Sequence, residues 1–160
     1  MTGALLFRRS CGGVVKVVSD ALTQMLLFRQ EAADSREAGG VLLGRHILGC
    51  RDIIIDEVTS PAPADRRRRL SFHRSHAYHQ QVIDNRWRTS RGTCQYLGEW
   101  HTHPEASPTP SPVDFSDWRR RLQVDQFAGD ALLFIIVGTV GLGAWEGLRP
   151  TLTIEAMSAA

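Results

Sequence analysis

Lysine is almost absent from this sequence, and positive and negative charges nearly balance. Of the 160 residues, 19 are Lys or Arg and 17 are Asp or Glu, which gives a formal net charge of +2. So small a charge does not favour a nucleic-acid-binding or membrane-binding protein. Only Lys16 is lysine, and the other 18 basic residues are arginine. Base-composition bias in the genome is the first explanation of this imbalance.

Cysteine is scarce too, and its pattern carries little chemistry. The three cysteines are Cys11, Cys50 and Cys94, and no two of them form a C-x-x-C pair. An odd number without such a pair indicates no disulfide framework. We therefore expect the protein in a reducing compartment, the cytosol.

Long hydrophobic runs are missing as well. The most apolar stretch, residues 131–144, has 14 residues and is interrupted by three glycines, whereas a bilayer span needs roughly 20 residues. The first residues place a short apolar run before their charges, which is the reverse of a signal peptide. We expect a cytoplasmic protein without a membrane partner.

The overall composition is that of a folded domain. Hydrophobic residues make up 42% and charged residues 22%, which is ordinary for a globular protein. Neither a repeat nor a linker divides the chain, so we predict one domain over residues 1–160. Hydrophobic periodicity and turn residues predict an α/β fold, with a mixed sheet flanked by about three helices. The predicted strands are Leu5–Arg9, Val14–Val18, 41–48, 51–59, Cys94–His103, Leu132–Val140, Gly143–Leu148 and Thr151–Glu155, and the predicted helices are Ser19–Ala33, Phe72–Ser90 and one from Pro112.

Two histidines at the end of the fifth predicted strand are the first candidate site residues. Side chains alternate along a strand, so His101 and His103 face the same side of the sheet. Pro104 keeps His103 extended and ends the strand. Two imidazoles side by side are what a zinc site requires.

A serine and an aspartate follow at the start of the third predicted helix. Because proline is favoured at the first helical position, Pro112 places Ser111 at the N-cap and Asp114 in the first turn. Alone, this pattern is close to a helix capping box. Beside the histidines, Asp114 is a candidate third ligand. Two histidines and one carboxylate leave a fourth position open, as in catalytic zinc sites, where bound water has a pKa near ~7.

A zinc hydrolase also needs a general base, and two glutamates are candidates. Glu99 shares the strand face of His101 and His103. Glu37 lies upstream, in the connection between the first helix and the strand at 41–48. The spacing of the residues leaves both open.

These residues together resemble the JAMM (MPN-type) zinc metalloproteases. His101-Thr-His103-Pro, seven residues, then Ser111-x-x-Asp114 matches the family pattern, with Glu37 upstream in E-x-x-G-x-L-x-G. The resemblance implies a cytidine-deaminase-like α/β architecture.

The resemblance also implies a role for each matched residue. His101, His103 and Asp114 would hold Zn²⁺, and Glu37 would be the catalytic acid/base, with Glu99 the runner-up. Ser111 would stabilise the oxyanion. Every position is filled, which favours an enzyme over a non-catalytic MPN-type interaction module.

The stretch around these motifs is similar to the small bacterial JAMM peptidases of CBASS antiphage operons. The similarity implies an isopeptidase, deubiquitinase-like, that cuts the amide after the C-terminal residue of a conjugated cGAS-like nucleotidyltransferase. It also implies a functional link to an E1/E2-like conjugating enzyme. The alternative substrate is a ubiquitin-like or sulfur-carrier protein processed at its C-terminus. The scarcity of lysine then has a second explanation: beside a lysine-conjugating enzyme, this protein offers only Lys16 and its N-terminus for conjugation.

Two further clusters do not need a ligand to explain them. His73, His76 and His79 lack the i,i+4 spacing typical of helical metal pairs, so we predict solvated or partly packed side chains. Arg66–Arg69 follows a proline-rich stretch and is predicted to be a solvated loop, with a docking surface for an acidic partner as the alternative. Nucleic acid is not an expected partner.

Overall fold

Eleven strands and three helices make up the computed structural model, which describes residues 3–160. The strands are β1 Leu5–Arg8, β2 Val14–Val17, β3 Gly39–His46, β4 Ile53–Val58, β5 Arg66–Arg68, β6 Ser71–His73, β7 Gln95–Thr102, β8 Ala131–Val137, β9 Leu142–Leu148, β10 Thr153–Ala156 and β11 Ser158–Ala159. The helices are α1 Ser19–Leu26, α2 His76–Thr89 and α3 Pro112–Val124. The predicted α/β class, a mixed sheet with about three helices, is confirmed.

Nine of the described strands form one mixed sheet in the order β10-β9-β8-β7-β3-β4-β2-β1-β11, and β5 pairs with β6 separately. The last two strands lie at opposite edges of that sheet although only Met157 separates them in the chain. Met157 N–H donates to Ala144 C=O over 2.8 Å, and Ala160 N–H donates to Leu6 C=O over 2.9 Å. The C-terminal segment therefore joins both edges, and the sheet curls towards a closed barrel.

The strand β8 explains why the most hydrophobic stretch is neither a helix nor a span. All seven of its residues are buried. Leu133 and Ile135 pack with α1, while Leu132 and Phe134 pack with α2 and α3 on the other face. A strand covered on both faces has no polar side, so its sequence is continuously apolar. Among residues 3–160, no helix combines the length and the hydrophobicity that crossing a bilayer takes.

The first helix is shorter than predicted. It ends at Leu26 rather than Ala33, and the chain runs without regular structure from residue 27 to residue 38. The segment after Phe28 is polar and lacks an apolar stripe, so packing cannot extend the helix there. Instead, buried Gln30 hydrogen-bonds to backbone carbonyls at Ser35 and Arg69.

The predicted loop at Arg66–Arg69 is partly a hairpin, and this is a correction. Arg66–Arg68 pairs with Ser71–His73, which also delays the start of the second helix from Phe72 to His76. A run of arginines has no β-strand pattern of its own. Its backbone is extended because it lies against the chain at Glu37, where Arg68 C=O accepts from Glu37 N–H over 2.7 Å.

The prediction for the second histidine cluster is wrong for one member. His73 and His76 are exposed, but His79 is only 1% exposed. Its Nδ1 lies 2.7 Å from Thr59 Oγ1 and its Nε2 lies 2.9 Å from an oxygen of Asp65. His79 therefore links α2 to the chain leading into the β5–β6 hairpin.

Candidate metal centre

His101 lies near the end of β7, a central strand of the sheet, and His103 directly follows that strand. This strand pairs antiparallel with β3 and parallel with β8, so its backbone is bonded on both sides. His101 and His103 are 9% and 7% exposed, and their Nε2 atoms are 3.1 Å apart. Thr102 between them is buried on the opposite side of the strand. The predicted sharing of one face by the two imidazoles is therefore seen.

Helix α3 brings a carboxylate to the same point. Asp114 Oδ1 lies 3.2 Å from His101 Nε2, and its Oδ2 lies 3.2 Å from His103 Nε2. A capping box orients this carboxylate: Ser111 N–H donates to Asp114 Oδ2 over 2.8 Å, and Asp114 N–H donates to Ser111 Oγ over 3.1 Å. The capping box that begins α3 therefore also orients the candidate ligand Asp114. Trp118, stacked on Phe134 at 4.6 Å between ring centroids, fixes the helix on the sheet.

These three donor groups fit a tetrahedral metal ion. In a tetrahedral zinc site with bonds of 2.0–2.1 Å, neighbouring ligand atoms lie about 3.3 Å apart. Here the two Nε2 atoms are 3.1 Å apart, and each lies 3.2 Å from a different oxygen of Asp114. Within residues 3–160, no other group of His, Cys, Asp or Glu side chains meets the geometry of a metal site.

The electrostatics of the three groups reinforce one another. Burial would raise the pKa of Asp114, but its hydrogen bonds to His101 and His103 outweigh burial and hold that pKa well below its ordinary value. Burial would lower the pKa of His103, but the bond to Asp114 and the negative charges of Asp114 and Glu37 raise it overall. The cluster therefore favours positive charge beside Asp114, as a bound cation would supply.

Glu37 lies beside this cluster because of the register of β3 against β7. Gly39 pairs with His101, and one residue earlier the backbone of Ala38 is bonded to Thr102. Continued by one residue, this register sets Glu37 opposite His103, on the same face. Glu37 is 5% exposed. Burial raises its pKa to about 7, although the neighbouring His101 and His103 lower it.

Glu99, the runner-up base, is engaged elsewhere. Its carboxylate forms an ion pair with Arg74, which comes from the segment before α2 and also faces Asp125 at 3.8 Å. Burial raises the pKa of Glu99, and the positive charge of Arg74 opposes that rise. A register shift between Leu42 and Leu43 leaves Tyr96 on the same side as this pair, with its hydroxyl 2.7 Å from Asp125. The arrangement favours Glu37 over Glu99 as the base.

Sequence reasoning missed two buried polar side chains around the cluster. Gln30 is 3% exposed and Thr102 is 0% exposed, and they are bonded to each other over 2.9 Å. Thr102 stands inside the H-x-H motif and could have been noticed there. Gln30 carries no signal, because nothing in its neighbourhood indicates burial.

The chain belongs to the family described as prokaryotic homologs of the JAB domain, whose model matches residues 19–148. This confirms the resemblance to JAMM/MPN-type proteins. Three similar proteins carry the name CD-NTase/cGAS isopeptidase. The one from Vibrio cholerae is 33% identical over 154 residues, 94% of this chain and 92% of that protein. The one from Escherichia coli is 32% identical over 84% of this chain and 81% of its own length.

The third, from Pseudomonas aeruginosa, is 46% identical over 96 residues, which are 58% of this chain and 60% of that protein. The fold also occurs in a solved structure. A protein from Desulfitobacterium hafniense, determined in solution, superposes with a TM-score of 0.60 over 88% of this chain and 87% of its own, at 19% identity. At that identity the likeness concerns the fold alone.

Proposed function

We propose that this protein is a zinc-dependent isopeptidase that hydrolyses the amide bond after the C-terminal residue of a conjugated protein. One observation carries the proposal: the Nε2 atoms of His101 and His103 are 3.1 Å apart and each lies 3.2 Å from an oxygen of Asp114, beside a buried glutamate whose pKa is raised by burial. Membership of the JAB-type family and the isopeptidase names of three relatives support it.

The residues divide the work by their chemistry. His101 and His103 would hold zinc through Nε2, and Asp114 through its carboxylate. Bound zinc supplies a Lewis acid that activates water and polarises a carbonyl. Ser111 accepts a hydrogen bond from Asp114 N–H, and a hydroxyl oxygen that accepts still has its own hydrogen to donate. That hydrogen would stabilise the oxyanion as charge develops.

Glu37 would move the protons. Its carboxylate takes a proton from the attacking water as the new C–O bond forms. It passes a proton to the lysine nitrogen as the C–N bond breaks, so the products are a free C-terminal carboxylate and a free amine. Burial raises the pKa of Glu37 towards neutrality, which favours both transfers, because general acid/base catalysis is most effective when pKa and pH are close.

The proposed substrate is a cGAS-like nucleotidyltransferase joined through its C-terminus to another protein, as the names of the relatives suggest. The proposal includes a functional link to the E1/E2-like enzyme that forms the bond, within a CBASS operon in the cytoplasm. A ubiquitin-like protein is the alternative substrate.

The test uses a nucleotidyltransferase fused at its C-terminus to a reporter protein, with a ubiquitin-like fusion in parallel. We expect the wild type to release the reporter at the junction, as measured by intact mass. Chelator and Glu37→Gln should each stop the release. Cleavage of the ubiquitin-like fusion alone would mean that the substrate is a ubiquitin-like protein and not the nucleotidyltransferase. Equal cleavage by wild type and Glu37→Gln would overturn the mechanism, and an inert protein that binds no zinc would overturn the function.

A further inference from the structure

The main chain at Glu37 is held from the side of the β5–β6 hairpin. Glu37 N–H donates to Arg68 C=O over 2.7 Å, and Arg67 Nε donates to Glu37 C=O over 2.8 Å. The Arg67 guanidinium also lies over the ring of Phe28, 5.9 Å from its centroid. The hairpin therefore binds both the backbone N–H and the backbone C=O of Glu37, the candidate base.

The next residue is held from the opposite side, by β7. Ala38 N–H donates to Thr102 Oγ1 over 3.0 Å, and Thr102 N–H donates to Ala38 C=O over 2.9 Å. Thr102 stands between the two candidate histidine ligands. All four backbone polar groups of Glu37 and Ala38 are therefore hydrogen-bonded, those of Glu37 to the hairpin and those of Ala38 to Thr102.

Gln30 connects Thr102 to the hairpin. Its Oε1 accepts from the hydroxyl of Thr102 over 2.9 Å, and its Nε2 donates to Arg69 C=O over 2.8 Å and to Ser35 C=O over 3.1 Å. The orientation of the amide is fixed by its partners, because both neighbours of Nε2 are carbonyl oxygens and can only accept. The hydroxyl of Thr102 accepts from Ala38 and must therefore donate to Gln30. The donor and the acceptor are therefore defined for every hydrogen bond that links Ala38 to Arg69 through Thr102 and Gln30.

We propose that Gln30 is a positioning residue: it locks the hairpin to β7 and so fixes Glu37 beside the candidate ligands. This inference rests on the proposed function, because Glu37 is the base only there. Gln30 touches none of the reacting groups and acts through Thr102 and Arg69. Loss of its amide leaves the metal donors on β7 and α3 unchanged but frees the segment that carries Glu37.

The expected signature is a loss of kcat with zinc affinity and KM preserved. Gln30→Met keeps the length of the side chain and removes its hydrogen bonds. We expect kcat on the nucleotidyltransferase fusion to fall by about 10- to 100-fold, since a misplacement of about 1 Å can cost about 100-fold. Zinc affinity, measured by competition with a chromophoric chelator, should stay within about threefold of the wild type.

A matched control separates positioning from loss of a buried amide. Gln24 lies on α1, is partly buried and donates to Ser60 Oγ over 2.7 Å. Gln24→Met removes a comparable side-chain bond that is not connected to Glu37, so its kcat should stay within about twofold of the wild type.

A second pair of variants keeps the test decisive if Gln30→Met does not fold. Thr102→Val removes the hydroxyl that Gln30 accepts, whereas Thr102→Ser retains it. We expect the valine variant to lose kcat about as much as Gln30→Met and the serine variant to recover at least half of the wild-type kcat. Circular dichroism at the assay temperature establishes that each variant is folded.

Two outcomes overturn the inference. One is a folded Gln30→Met or Thr102→Val enzyme with wild-type kcat. The other is loss of zinc in step with loss of activity, which would make the amide a support for the metal ligands instead. If Glu37→Gln also turns over normally, the proposed function fails; if Glu37→Gln is inactive, only the role of Gln30 fails.

Discussion

The site consists of two regions with different kinds of support. The ligand region, which is the end of β7, His103 directly after it and the first turn of α3, is held by hydrogen bonds that are local or belong to the central sheet. The base segment, residues 27–38, has no regular structure; Arg67 and Arg68 hold the backbone of Glu37, and Thr102 holds that of Ala38. The ligand region is held by its own backbone, whereas the backbone at Glu37 is held by partners distant in sequence. Metal binding and proton transfer should therefore fail separately.

The largest expected effect comes from breaking the ligand region. His101→Ala and Asp114→Ala each remove one of three side chains that contact one another in pairs at 3.1–3.2 Å. We expect both variants to lose stoichiometric zinc and with it all measurable cleavage, because two remaining protein ligands do not make a stable catalytic zinc site. Metal content by mass spectrometry and release of the fused reporter measure the two losses.

The matched control for the carboxylate is Asp117→Ala, on the exposed side of the same helix. It should bind zinc and cleave as the wild type does. Full zinc occupancy in both His101→Ala and Asp114→Ala would show that the metal, if any, is held by other groups.

The second effect separates the base segment from the ligand region. Glu37→Gln keeps the shape of the side chain and removes its capacity to carry a proton. We expect kcat to fall by about 10²–10⁴-fold, the usual contribution of a general acid/base, with zinc content unchanged. A parallel Glu99→Gln variant sharpens the choice between the candidates. A larger loss of kcat in Glu99→Gln than in Glu37→Gln would reverse the assignment.

The ligand region could be predicted from the sequence because its support is local. His101, His103, Ser111 and Asp114 lie within one short stretch, where strand alternation and a capping pattern act over a few residues. Local rules therefore predicted their common face. The element that carries Asp114 was predicted as well, because Pro112 and the apolar residues behind it mark a helix.

The base segment could not be predicted in this way. Glu37 meets His103 through the pairing of β3 with β7, and the spacing alone left Glu99 equally eligible. The Arg74–Glu99 pair, which removes that ambiguity, joins residues 25 apart. The hairpin at Arg66–Arg68 and the short strand β11 also lack local patterns, because their partners, not their side chains, make them extended.

The third effect concerns the free energy of unfolding of the metal-free protein. The pKa of Glu37 rises from 4.5 to about 7 on folding because its carboxyl is buried. The folded state then binds the proton more tightly, so this group's stabilisation is complete below about pH 4.5 and is lost as pH rises through about 7. Each pKa unit corresponds to about 1.4 kcal/mol, which makes the loss about 3 kcal/mol.

The difference between wild type and Glu37→Gln measures this contribution together with the coupling of Glu37 to its charged neighbours His103 and Asp114. Urea unfolding of both metal-free proteins at pH 5 and pH 7.5 should show wild-type stability falling relative to the glutamine variant. Glu31→Gln, at an exposed position of the same segment, should follow the wild type. Parallel stability curves for wild type and Glu37→Gln would mean that the carboxyl is solvated and the base segment open.

The smallest effect tests the cap on which the ligand region depends. Ser111 accepts the N–H of Asp114, so Ser111→Ala should cost about 1 kcal/mol in the free energy of unfolding, the usual value of an N-cap. Ser75 occupies the N-cap of α2 but makes no side-chain capping bond. Ser75→Ala should therefore change stability by less than about 0.5 kcal/mol. Chemical denaturation of the two metal-free variants measures both values. Equal costs would mean that the Ser111 hydroxyl does not cap α3, and the orientation of Asp114 would then depend on its bonds to the histidines and to Ser111 N–H.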